Sequence, residues 1–148
     1  MRVLDVIASA SVGLLVGTEL AVSLFVNPVL WRVAEKSQAI AIREFAGRLG
    51  GTMPYWYGAN LLLLIGEAVV HRHDPDRYML YTAVALWAAT ILLTILFLVP
   101  INSRLASPST EYRFDSFIQQ HRLWDKRHRL RIFVVACAYV LLLFSVAK

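Results

Sequence analysis

The stretch from Val6 to Trp31, VIASASVGLLVGTELAVSLFVNPVLW, runs for 26 residues with a single charged side chain, Glu19. As a helix rising 1.5 Å per residue it is about 39 Å long, more than the ~30 Å hydrocarbon core of a bilayer. Three more windows repeat the pattern: Leu49–His71, Tyr78–Ser103 and Ile132–Ala147 hold 23, 26 and 16 residues with one charge among them, Glu67. The 57 residues outside the four windows carry 23 of the 25 charged side chains. Apolar crossings with polar ends in water produce that segregation. The sequence predicts an all-α, four-helix transmembrane bundle, one domain over residues 1–148, with helices at about 3–28, 54–71, 78–99 and 111–147.

Local signals set the expected boundaries. Gly13, Gly17 and Ala21 make a small-residue stripe on the first helix, suited to close packing in lipid and leaving homo-oligomerisation open. Asn27-Pro28 is expected to close that helix, since an interior proline lacks the N–H donor. Residues 37–49 place Ile40, Phe45 and Leu49 against Lys36, Arg43 and Arg48, the pattern of a short amphipathic interfacial helix. Gly50-Gly51 should break it, with Pro54 in the first turn of the second crossing. Pro100 is expected to end the third crossing, and the fourth to have an extended start.

Other classes are excluded. A single cysteine, Cys137, permits neither an intrachain disulfide nor C-x-x-C chemistry. The net charge of +5 belongs to loops beside lipid headgroups, not to a basic domain for nucleic acid. Asp5 and Glu19 interrupt the first segment, so it reads as a retained helix and not a cleaved signal. Eleven of the fifteen Lys and Arg fall in the first and third loops and their flanking helices, which puts those loops in the cytoplasm of a bacterial-type inner membrane.

Candidate chemistry gathers at the basic end. Glu19 lies about nine residues, roughly 13 Å, inside the first helix, where a carboxylate must be protonated, paired or a ligand. Ser23 and Asn27 follow it on one stripe, and Asn60 has a comparable depth in the second crossing. His121, Trp124, His128 and Arg131 recur at steps of 3, 4 and 3 and so share one helical face. Imidazole can act as acid, base or ligand, and arginine can hold an oxyanion. Glu67 and His71 are one turn apart at the opposite end, a pair that could hydrogen-bond or share a metal, and Glu67 is expected to reach the headgroups there beside His71 and Arg72.

Three cofactor cases stay open: none, a haem on a single histidine, or a nonhaem metal for which Glu19, His121 and His128 are the candidate ligands.

Asn27-Pro28, Pro100-x-Asn102-x-x-Leu105 and Trp124-x3-His128-x2-Arg131, in that order on four apolar helices, resemble the DUF1772 or anthrone oxygenase-like membrane proteins. The resemblance spans nearly the whole chain. It implies an integral membrane oxidoreductase, a monooxygenase-type enzyme that oxidises an aromatic polyketide methylene to a carbonyl with dioxygen. By motif, Asn102, Trp124, His128 and Arg131 would be its site positions. Reading the residues themselves adds Glu19, Asn27, Asn60 and His121. His128 or Glu19 is expected to remove the proton, Arg131 and Asn102 to hold the enolate, and Trp124, His121, Asn27 and Asn60 to line the substrate's place. The partners expected are membrane lipid and a small hydrophobic substrate. Two other classes keep the same fold: a non-catalytic protein binding a lipid, quinone or partner, and a haem or metal protein of electron transfer.

Overall fold

The computed structural model describes residues 2–107 and 114–147. They form four helices, α1 (Val3–Leu30), α2 (Glu35–Val70), α3 (Arg77–Ala106) and α4 (Phe114–Val146), with no strand among the described residues. The expected start of the last helix, at 111, lies outside the described residues. Three helices, α1, α3 and α4, are long and apolar enough to cross a membrane, as an integral membrane protein requires. The expected second crossing is the C-terminal half of α2, which packs against α1 and α3 and has Asn60 and Glu67 diluting its apolar run. Leu14, Leu24, Phe25, Leu62, Leu92, Phe133 and Phe144 are each more than half exposed, an apolar exterior that water would not tolerate and lipid would.

Two apolar cores stack along the bundle. One holds Val12, Leu15, Leu64, Leu80, Trp87, Val135 and Leu142. The other, at the basic end, is built from Leu30, Ile42, Ala46, Ile101, Leu105 and Phe117. Gly13 faces the Tyr139 ring of α4, its hydroxyl 2.6 Å from where a Cβ would stand, whereas Gly17 has nothing within 4 Å. The first glycine of the stripe is thus used inside the bundle.

The structure corrects three expected boundaries. Gly50-Gly51 does not break the chain: α2 is one helix of 36 residues, about 54 Å long. Neither glycine takes a positive φ, and the ~1 kcal/mol helix penalty of each is opposed by the second core, to which Ile42 and Ala46 belong. Gly50 itself packs directly against the Asn102 amide, which a larger residue would have to displace.

Nor do Pro28 and Pro100 end their helices, which run on to Leu30 and Ala106. A helical proline clashes with the carbonyl four residues before it. Those carbonyls belong to Leu24 and Leu96, and both lie in π-helical turns, Val22–Val26 and Thr94–Leu98. The wider turn carries the carbonyl off the ring, so the helix survives its proline. Consecutive residues of α4 reach the backbone beside these turns: His128 Nε2 lies 3.3 Å from the Glu19 carbonyl, and Arg127 donates to the Phe97 carbonyl at 3.0 Å.

Glu67 is the fourth correction. It does not reach the headgroups but is fully buried, with His71 Nε2 3.4 Å from its carboxylate. The reason is Asp5 of α1, which meets the same imidazole at 3.2 Å and closes this end of the bundle over it.

Candidate functional site

Glu19 lies in the regular helical part of α1, just before its π-helical turn, and meets α4 there. One Glu19 oxygen, Oε2, is 2.6 Å from Arg131 Nη2 and 3.0 Å from His128 Nδ1. Arg131 Nη2 also lies 3.0 Å from His128 Nδ1. Glu19 and His128 are 3% and 2% exposed, so the triad is paired out of solvent, as an intramembrane carboxylate must be. With Nε2–H donated to the Glu19 carbonyl, Nδ1 is the ring atom that gains or loses a proton. When neutral it accepts from Arg131; when protonated it donates to Glu19.

Aromatic stacking fixes the imidazole from its other side. Trp124 stacks on His128 at 4.5 Å with the planes 16° apart, and on His121 at 6.0 Å and 14°. Trp31 caps the row against His121 at 4.9 Å. The α4 residues therefore form a ladder in which Trp124 separates the two histidines. Consequently Glu19 and His128 share a place while His121 does not join them.

The triad opens on a cavity of about 430 Å³, lined by Tyr57, Thr94, Leu98, Asn102 and Trp124 as well as by Glu19, His128 and Arg131. Its remaining walls are mainly apolar side chains of α1, α2 and α3. Tyr57 enters from α2 beneath Arg131, whose guanidinium is 5.3 Å from the ring centroid. Trp87 positions it, packing at 5.4 Å and donating its indole N–H to the Tyr57 carbonyl at 3.0 Å. Asn102 lines the cavity and donates its amide to the Ala46 carbonyl at 2.9 Å, which ties α3 to α2.

Asn27 and His121 line a smaller neighbouring cleft with Trp124. Asn27 donates to Asp125 at 2.5 Å, which also meets Arg129 at 3.0 Å. Asn60 is fully buried with neither amide atom partnered among the described residues, and it is not among the cavity's lining residues. Neither Tyr57 nor Asp125 is among the residues singled out from the sequence. Tyr57 is one turn from Asn60, a signal that it shares the inward face; nothing local marks Asp125.

The comparisons bear on this arrangement. The family model described as anthrone oxygenase matches residues 39–141, more than half of the 148. The chain belongs to the anthrone oxygenase family. No curated protein and no solved structure matches it. The match covers α2, α3 and most of α4, so Tyr57, Asn102, Trp124, His128 and Arg131 fall inside the anthrone oxygenase region and Glu19 outside it. Membership points to an oxygenase-type function in a membrane.

Gly50 offers a local test of how the cavity wall is held. In Gly50→Leu the new side chain displaces the Asn102 amide and separates α2 from α3, and overpacking of this kind destabilises by about 1–3 kcal/mol. Gly51→Leu, where nothing lies within 4 Å, is the control. Unfolding in mixed micelles should rank Gly50→Leu well below both wild type and Gly51→Leu; equal stabilities would contradict the contact.

Proposed function

We propose that this protein is an integral membrane oxygenase that converts the activated methylene of a planar, apolar aromatic or polyketide-like ketone to a carbonyl, using dioxygen. The observation that carries the reading is the buried Glu19–His128–Arg131 triad at the wall of a cavity of about 430 Å³, within the 300–1,000 Å³ range of small-molecule sites. The substrate enters between lipid-facing helices, its ring system against the apolar walls.

His128 Nδ1, which accepts from Arg131 in the neutral ring, takes the methylene proton and, once protonated, donates to Glu19. Arg131 faces the enolate oxygen; its Nε–H is buried without a partner among the described residues and is free to donate to it. Asn102 and Trp124 position the ring. The carbanion and dioxygen combine to a hydroperoxide on the former methylene carbon, the proton returning from His128. Elimination of water across the C–H and O–O bonds then leaves the carbonyl, so one oxygen atom enters product and the other leaves as water. The excess of Lys and Arg in the first and third loops supports a cytoplasmic position for this end of the bundle.

The test is turnover by purified protein in mild detergent with a tricyclic anthrone under ¹⁸O₂. The expected result is one labelled oxygen in the new carbonyl and one dioxygen consumed per product. Oxidation no faster than in protein-free micelles, across a panel of such ketones, would overturn the reading.

A further inference from the structure

The other end of the bundle holds a second buried cluster that the oxygenase reading does not use. Asp5 on the first turn of α1, Glu67 at the end of α2 and His71 just beyond it each present one ligand atom, all within 4.8 Å of one another. Asp5 is 2% and Glu67 0% exposed. Asp5 lies fourteen residues before Glu19 on the same helix, about 21 Å away along its axis, so the two clusters are separate.

The hydrogen bonds around the cluster leave its centre unsatisfied. Asp5 Oδ2 accepts the Arg2 backbone N–H at 2.6 Å, which leaves Oδ1 facing His71. Asp74 Oδ2 holds His71 Nδ1 at 2.7 Å. That leaves a single ring nitrogen, Nε2, between Asp5 Oδ1 at 3.2 Å and Glu67 Oε2 at 3.4 Å. One nitrogen cannot serve both carboxylates. Independently of the clustering, Glu67 has neither oxygen hydrogen-bonded among the described residues and both shut off from solvent, and a buried acceptor without a donor calls for a cation or a proton.

The spacing suits a metal. Nitrogen and oxygen ligands about 2.1 Å from a tetrahedral metal are about 3.4 Å from each other; here His71 Nε2 lies 3.2 and 3.4 Å from the two carboxylates, and all three ligand atoms lie within 4.8 Å of one another. Asp74 on the outer nitrogen completes the carboxylate–histidine–metal relay that fixes which ring atom faces a metal. We propose that Asp5, Glu67 and His71 bind one divalent transition-metal ion of the zinc or manganese type, through Asp5 Oδ1, a Glu67 oxygen and His71 Nε2, with Asp74 as the positioning residue behind the imidazole. The ion fastens the first turn of α1 to the end of α2, residues 66 apart in sequence, and three protein ligands leave a coordination position open to solvent or ligand.

The experiment is metal titration of the full chain, stripped with chelator in mild detergent, with Zn²⁺ and with Mn²⁺. Bound metal is read by elemental analysis and Mn²⁺ by its paramagnetic resonance signal. One equivalent should bind saturably and raise the thermal midpoint. Glu67→Gln, nearly isosteric, and His71→Ala should each abolish stoichiometric binding, while Asp74→Asn, which removes no ligand, should weaken it by about 10–100-fold. Glu19→Gln and His128→Ala should bind as wild type does. Helicity and monodispersity identify any variant that misfolds, in which case Asp74→Asn decides. No saturable binding by wild type, unchanged binding by the folded cluster variants, or loss of the metal in Glu19→Gln or His128→Ala would each overturn the proposal.

Discussion

His128→Ala lowers turnover by about 10²–10⁴-fold, the range of a positioned general base, and leaves the bundle folded. The imidazole is gripped at three points: Nε2 at the Glu19 carbonyl, Nδ1 by Glu19 and Arg131, and one face by Trp124. Alanine removes the proton acceptor, yet the Glu19–Arg131 pair at 2.6 Å stays closed, so no charge is orphaned and the helices keep their ion pair. Substrate affinity should change little, because the apolar walls of the cavity are untouched. Single-turnover kinetics beside circular dichroism in detergent separates the two effects. Turnover within tenfold of wild type in a folded protein would remove His128 from the chemistry.

The fold was legible because a bilayer writes itself into charge placement. Only two charged residues, both acidic, among the 91 positions of the four windows leave few architectures, and the spacing of Trp124, His128 and Arg131 set out one face of α4. Hidden from sequence was the meeting of that face with Glu19, which lies 109 residues from His128; periodicity describes one helix at a time. The same blindness affected Glu67. Its own helix offers His71 as a neighbour, and headgroups were the natural destination until Asp5 arrived from α1.

The misjudged boundaries share a physical cause. Rules for glycine and proline describe helices whose freed backbone groups have no compensation. Here Pro28 and Pro100 are each preceded by a π-helical turn, and His128 and Arg127 of α4 reach the backbone beside those turns. The interruptions read as helix ends became wide turns within helices. Gly50 behaves likewise, since its missing Cβ admits Asn102.

Arg131→Met should be the most destabilising single change at the site, by about 3–5 kcal/mol, because removing one partner of a buried pair strands the other. Among the described residues Arg131 is the cation within ion-pair distance of the Glu19 carboxylate, with His128 beside it, and a neutral imidazole gives a carboxylate little relief. The double variant Glu19→Gln/Arg131→Met should recover most of that stability, since an amide carries no charge to strand and methionine fills the volume of the arginine stem. Activity should not return with it. The enolate would still lack its cation and His128 the carboxylate that supports its protonated form. A double-mutant cycle read by unfolding in mixed micelles and by turnover thus divides the triad's two roles. If Glu19→Gln fails to rescue the stability of Arg131→Met, the pair is not what holds α1 to α4. If the double variant turns over like wild type, the triad is a structural clasp and the chemistry lies elsewhere in the cavity.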